Sequence, residues 1–250
     1  MMKIVLKDMT ETARGLWSNR RALLLFFATY VALLATLALF IMTREATVKE
    51  VLITLATLVA TPALFFLLQG MCVSFAEDDG AFELLRRAMK IFWRLILASL
   101  PLIIVWVALY LLLGKIEARL APRVARGAAQ AQWPLVIIST VRLLVFGLVL
   151  PLLSIHLWLA LLRADVRSVL RDIAPLMSRA FAPRSVLTYV CGLVLFGVVP
   201  YLLIASRTPF ERAWLELTVL GARLVLAFAL MLVGWVVTVG AIRRGMSAQG

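Results

Sequence analysis

Six apolar stretches dominate the chain, at about residues 22–42, 51–75, 95–113, 135–161, 186–205 and 220–241. A helix needs about 20 apolar residues to cross a hydrocarbon layer of about 30 Å, and each stretch qualifies. Inside that layer no water reaches the backbone, so every N–H and C=O must be satisfied within the protein, by a helix or a closed barrel. The stretches lack the strand-length alternation of a barrel. They therefore predict an all-α, polytopic membrane bundle of six transmembrane helices in three hairpins. Composition agrees: 64% of the 250 residues are hydrophobic and the mean hydropathy is +1.02. A soluble globule of this length could not hide so much apolar surface, because much of any globule faces water. One transmembrane domain over 1–250 is expected, with no room for a separate soluble domain. The first apolar run starts about 20 residues in and is about 21 residues long. A signal h-region is roughly 7–15 residues, so the run predicts a retained anchor.

Net charge is +13, with Lys+Arg 26 against Asp+Glu 13. The basic residues sit in short stretches between the apolar runs, the pattern of loops that meet anionic headgroups. Nothing resembles a basic domain that could be presented to a duplex or a strand, which argues against nucleic-acid binding. On one side fall Lys3, Lys7, Arg14, Arg20 and Arg21, then Arg86, Arg87, Lys90 and Arg94, then Arg163, Arg167, Arg171, Arg179 and Arg184, then Arg243 and Arg244. On the other fall Arg44, Lys49, Lys115, Arg119, Arg123, Arg126, Arg207 and Arg212. The first side has twice as many. The positive-inside rule makes it cytoplasmic and predicts both termini in the cytoplasm.

Each hairpin is preceded by an amphipathic segment. In the first, Val5, Met9, Ala13 and Leu16 form a thin apolar stripe. In the second, Phe82, Leu85, Met89 and Phe92 recur at spacings of three and four, with Glu83, Arg86, Arg87 and Lys90 elsewhere on the helix. In the third, Val166, Val169, Leu170 and Ile173 make the stripe, with Arg167 and Arg171 four apart. Such helices are expected in the interface plane, apolar face toward lipid and basic face toward headgroups. Anchoring at the inner leaflet explains them first. Docking of a cytoplasmic or membrane protein partner through Arg86, Arg87, Lys90, Arg167 and Arg171 is the alternative. The segments also mark an internal repeat: Trp17, Trp93 and Phe181 each end a basic segment just before a span. Arg142-Leu-Leu-Val-Phe likewise matches Arg223-Leu-Val-Leu-Ala in the second helices of the last two hairpins. Repeats of this kind are common in membrane transport folds.

Ionisable residues within spans are the default candidates for function. Arg142 has two placements. If its span starts at Pro134, it lies about 12 Å in; if the span runs 141–161, it snorkels at the outer interface. Arg223 holds the matching place in the sixth span. Both are candidates for a lipid phosphate, or simply interface anchors. His156, the only histidine, has no intramembrane carboxylate at its depth and reads as a hydrogen-bonded structural residue. Pro62, Pro101, Pro151 and Pro200 lie within spans, where neighbouring helices tolerate them. Trp17, Trp93, Trp133, Trp158, Trp214 and Trp235 fall mostly near span ends, as an aromatic belt requires. Glu77-Asp78-Asp79-Gly80 suits the start of a helix. Cys72 and Cys191 lie inside apolar runs and read as small core residues. There is no GxxxxGK[ST], HExxH or GxSxG motif, and no pair of intramembrane carboxylates. No catalytic residue, metal site or cofactor is predicted, and the chain is expected not to be an enzyme.

The segments Lys7 to Leu25, Ala81 to Ser99 and Val166 to Leu187 carry a resemblance. Six spans, with a short basic amphipathic helix ending in an aromatic before each hairpin, resemble the YciC-like bacterial inner-membrane proteins. The layout is also similar to the membrane domain fused to some glycerophosphodiester phosphodiesterases, whose catalytic domain this sequence does not contain. The resemblance implies fold and location, and no catalytic residue carries over. The expected function is a non-enzymatic accessory role in envelope or lipid homeostasis, in contact with anionic lipids. The alternatives are a permease subunit of an ATP-driven transporter, with residues 2–18 as elbow and 164–174 as coupling helix, and a structural subunit of a larger membrane complex. Against the permease reading, neither cytoplasmic connection shows an EAA-type motif.

Overall fold

The computed structural model describes residues 1–43, 47–76, 80–125, 132–171, 173–206 and 212–247. These residues are helical almost throughout, and among them there is no strand. Asn19 divides α1 (Met2–Ser18) from α2 (Arg20–Met42). Its backbone leaves the helical region at φ −95°, ψ 74°, and its side-chain oxygen accepts from the Ala22 N–H at 3.0 Å. Short polar side chains cap helices in this way. α3 (Val48–Ser74) begins with a reciprocal cap: the Thr47 N–H donates to Glu50 at 2.8 Å and the Glu50 N–H to the Thr47 hydroxyl at 3.3 Å. The pair satisfies backbone donors that the first turn otherwise leaves open.

α4 (Ala81–Ala125) is a single helix of 45 residues. At 1.5 Å per residue it is about 68 Å long, twice a hydrocarbon layer. The sequence predicts a separate amphipathic helix and then a span at 95–113. The two are fused, because Met89 to Leu95 contains no glycine, proline or capping residue to stop the helix.

α5 (Gln132–Leu144) leads through a π turn at Val145–Val149 into α6 (Leu150–Ala160). α7 (Val166–Arg171) and α8 (Ile173–Ala180) follow. The third amphipathic segment is helical on both sides of Asp172, which lies outside the described residues. α9 (Pro183–Leu193), a second π turn at Val194–Val198 and α10 (Val199–Ala205) form the fifth span, and α11 (Ala213–Ser247) the sixth. Both π turns end two residues before a proline, Pro151 and Pro200. Proline lacks an N–H and crowds the preceding turn, and one extra residue in that turn relieves both defects.

The chain forms two compact units, residues 1–93 with 183–250, and residues 94–182. In the first, α2 and α3 make a hairpin, closed where Phe26 meets Phe75 edge-on at 5.9 Å. α9, its π turn and α10 make another with α11. α1 packs on α9 and α11, burying Val5, Met9, Thr12 and Leu16. The stripe predicted to face lipid at α1 therefore faces protein, while Met2, Ile4, Leu6 and Trp17 are exposed. Small residues set these crossings: Gly240 lies under Thr12, Gly192 under Thr238, Gly234 under Phe196, and Gly70 under Ala88. The Trp235 indole donates to Gln69 at 2.8 Å. In the second unit the rest of α4 runs antiparallel to α5 and α6. Ser99 accepts from the Trp158 indole at 2.9 Å, and Trp106 and Tyr110 meet Phe146.

Six helical runs among the described residues are long and apolar enough to cross a membrane: Arg20–Met42, Val48–Ser74, Ala81–Arg119, Trp133–Ala160, Pro183–Ala205 and Trp214–Met246. In five of them only 11–22% of the apolar window is buried in protein, against 50% for the last. Water cannot cover so much apolar helix, and a lipid phase can. The chain is a multi-pass integral membrane protein, and its first unit is built around α11. Glu11 and Arg244, 2.7 Å apart, bring the N-terminal helix to the C-terminal end of α11, as an even number of crossings requires.

Candidate functional site

The first half-turns of α4 carry the densest exposed basic surface. Phe82, Met89 and Trp93 are exposed on one side, while Leu84, Ala88 and Leu95 are fully buried on the other. Arg86, Arg87, Lys90 and Arg94 are exposed between them. Of the predicted stripe, Phe82 and Met89 are exposed and Leu85 and Phe92 are half-buried. Glu83 pairs with Arg87 at 3.3 Å and with Arg86 at 3.9 Å, along one helix face. Pairs so exposed contribute little to stability. Arg167 and Arg171 are exposed on α7, with Val169 buried beneath them and Val166 and Leu170 half-buried. Ile173, predicted in the same stripe, begins α8 and is half exposed. Arg94 reaches Asp165 at 3.7 Å.

Two basic residues of α9 and α11 pair closely with acids of α1. Arg184 donates to Asp8 at 2.6 Å and Arg244 to Glu11 at 2.7 Å. Arg243 donates to the Val73 carbonyl at 3.1 Å, at the end of α3. The acids of α1 therefore tie the N-terminal helix to α9 and α11. These partners lie 176 and 233 residues away in the chain, so no local signal marks them.

Arg142 is not a lone cation. Its Nη1 donates to Glu117 at 3.1 Å, and its guanidinium carbon lies 5.0 Å from the centre of the Tyr110 ring. Tyr110 stacks on Trp106, 5.6 Å between centres and 10° from parallel, and Phe146 meets both edge-on. The spacing of Trp106, Tyr110 and Glu117, four and then seven residues, puts all three on one face of α4. Arg142 and Phe146, four apart, present the matching face. That signal is present in the sequence, but ending the third span at 113 hides it. Arg94 and Glu117 are 23 residues apart on α4. That is about 34 Å, close to one hydrocarbon thickness. Arg142 lies nine residues into the apolar run Trp133–Ala160, against Glu117 of α4.

Arg223 is held differently. It donates to the Ser206 carbonyl at 2.7 Å, satisfying the last turn of α10. Cations commonly close helix C-termini in this way. The matched arginines of the repeat thus have unlike partners, a carboxylate and a backbone oxygen. His156 is buried, and its Nδ1–H donates to the Leu152 carbonyl at 2.9 Å. Among the described residues no three His, Cys, Asp or Glu come together. Gly80 is described, whereas Glu77, Asp78 and Asp79 lie outside the described residues. Comparison of the chain with protein-family models, curated proteins and solved structures gives no match.

Proposed function

We propose that this chain is a non-enzymatic protein of the bacterial inner membrane that holds anionic lipid at the cytoplasmic leaflet, with an accessory role in envelope or lipid homeostasis. This reading keeps both termini cytoplasmic and shares the layout of the YciC-like proteins. One observation carries it: the exposed Phe82, Met89 and Trp93 beside the exposed Arg86, Arg87, Lys90 and Arg94. Aromatic rings at headgroup level next to several cations suit an anionic surface, at about 1 kcal/mol per basic residue.

The test is purification into nanodiscs of mixed phosphatidylglycerol and phosphatidylcholine, with mass spectrometry of retained lipid and protein. The native chain is expected to enrich phosphatidylglycerol. The triple variant Arg86→Gln, Arg87→Gln, Lys90→Gln should lose most of that enrichment while keeping its elution volume. Equal retention by both proteins rejects the reading. A stoichiometric ATPase in the preparation would instead make the chain a permease subunit docked through Arg167 and Arg171. Comigration with a large assembly would make it a structural subunit.

A further inference from the structure

The basic segments do not account for the Glu117–Arg142 pair. A snorkelling arginine extends its head into water. Arg142 instead folds onto a carboxylate and an aromatic face. With Glu117 beside it the local charge is zero, so this place has no reason to collect an anionic lipid. It does present both signs a few ångströms apart, and both remain reachable: 40% of the Arg142 side chain and 29% of Glu117 are exposed. Among the described residues only Nη1 of the guanidinium and Oε2 of the carboxylate are used. A guanidinium carries five N–H donors, and the second carboxylate oxygen is a further acceptor. Lys115 and Arg119 lie two positions either side of Glu117, about 200° round the helix, and face away from it.

We infer that the Glu117–Arg142 pair, with the Trp106 and Tyr110 rings alongside, binds the zwitterionic headgroup of a phospholipid bearing a primary ammonium, its phosphate on Arg142 and its ammonium on Glu117. The inference rests on the lipid-contacting function proposed above and names a second, distinct class of lipid. The guanidinium fork matches a phosphodiester. The carboxylate accepts N–H hydrogen bonds from a primary ammonium, and a quaternary ammonium has none to give. Tyr110 and Trp106, each 45% exposed, lie about 10 Å and 16 Å along α4 from Glu117, where their rings would line the acyl chains of a lipid held at the pair. Ile103, Val107 and Leu111, exposed beside them on α4, extend that apolar path.

The experiment is native mass spectrometry of the full chain in nanodiscs holding equal amounts of phosphatidylethanolamine, phosphatidylcholine and phosphatidylglycerol with identical acyl chains. The native protein is expected to retain phosphatidylethanolamine over phosphatidylcholine by about tenfold, the order of one charge-assisted hydrogen bond. Glu117→Gln should abolish that preference and raise phosphatidylglycerol retention, because it frees the Arg142 charge. Arg142→Gln should lower retention of phosphatidylethanolamine. The ethanolamine-to-choline comparison needs no variant, so it stands even where a variant fails to fold. Equal retention of those two lipids by the native protein overturns the inference, as does a Glu117→Gln protein with native preferences. Displacement of the lipid by millimolar glycerophosphoethanolamine would assign the site to a free soluble headgroup and overturn the lipid assignment. The triple variant of the basic segment should leave the ethanolamine preference intact. Phosphatidylglycerol enrichment lost in that variant, with no ethanolamine preference in the native chain, rejects this inference alone.

Discussion

Gly192 and Thr238 fix how closely α9 and α11 approach, because a methyl group at Gly192 would overlap the threonine side chain. Thr238 is fully buried and its hydroxyl already donates to the Gly234 carbonyl at 2.6 Å, so it cannot move aside. Gly192→Ala should therefore destabilise the protein by about 1–3 kcal/mol through overpacking. Gly221→Ala meets nothing within 4 Å and should be neutral or stabilising by up to about 1 kcal/mol. Thermal unfolding of the two variants in detergent checks the contrast, and equal shifts would contradict the packing described. At this scale the sequence is only partly readable. His156 as a structural, hydrogen-bonded residue follows from the lack of a carboxylate near it. The partners of Arg142 and Arg184 do not follow, because hydropathy marks where a span lies and not which residues of two spans stand at one level.

The amphipathic segments share a pattern and differ in what they pack against. α1 turns its stripe into the bundle, because Asp8 and Glu11 find arginines on α9 and α11 and draw the helix down onto Gly240. The start of α4 keeps Phe82, Met89 and Trp93 outward, because its opposite side, through Ala88, is already seated on Gly70. An amphipathic pattern gives one apolar face, but says nothing of whether lipid or protein covers it. Two joints differ for local reasons that can be read in retrospect: Asn19 caps, and Met89 to Leu95 has no breaker. The Asp8–Arg184 pair is mostly shielded, with 15% and 22% of the two side chains exposed. Losing one member should cost about 1.5–3 kcal/mol, the scale of a hydrogen bond to a charged group. Asp8→Asn is expected to raise amide hydrogen exchange across residues 2–18 while leaving α3 unchanged. Unaltered exchange in α1 would show that apolar contacts alone hold it.

For the molecule as a whole, the six apolar runs and the chain's helical class are set by length and hydropathy, two properties that survive without any knowledge of contacts. The helices extend past the predicted windows, α4 most of all, because helix propensity continues into polar sequence after the hydrocarbon ends. Orientation rests on a different quantity, the distribution of basic residues. The structure puts α1 and the end of α11 together. Pairing of Arg184 and Arg244 removes two charges from the heavier side, and the exposed cations of α4 and α7 still keep that side the more basic. Both lipid assignments depend on this orientation, the anionic one at the cytoplasmic leaflet and the zwitterionic one at the opposite leaflet. The direct measurement is a pair of reporter fusions in a bacterial host, one after Gly127 and one after Asp172, each read with an enzyme active only in the periplasm and one active only in the cytoplasm. The account predicts a periplasmic signal at Gly127 and a cytoplasmic signal at Asp172. The reverse pair would invert the protein and place its basic segments on the wrong leaflet, and the same signal from both would break the second hairpin.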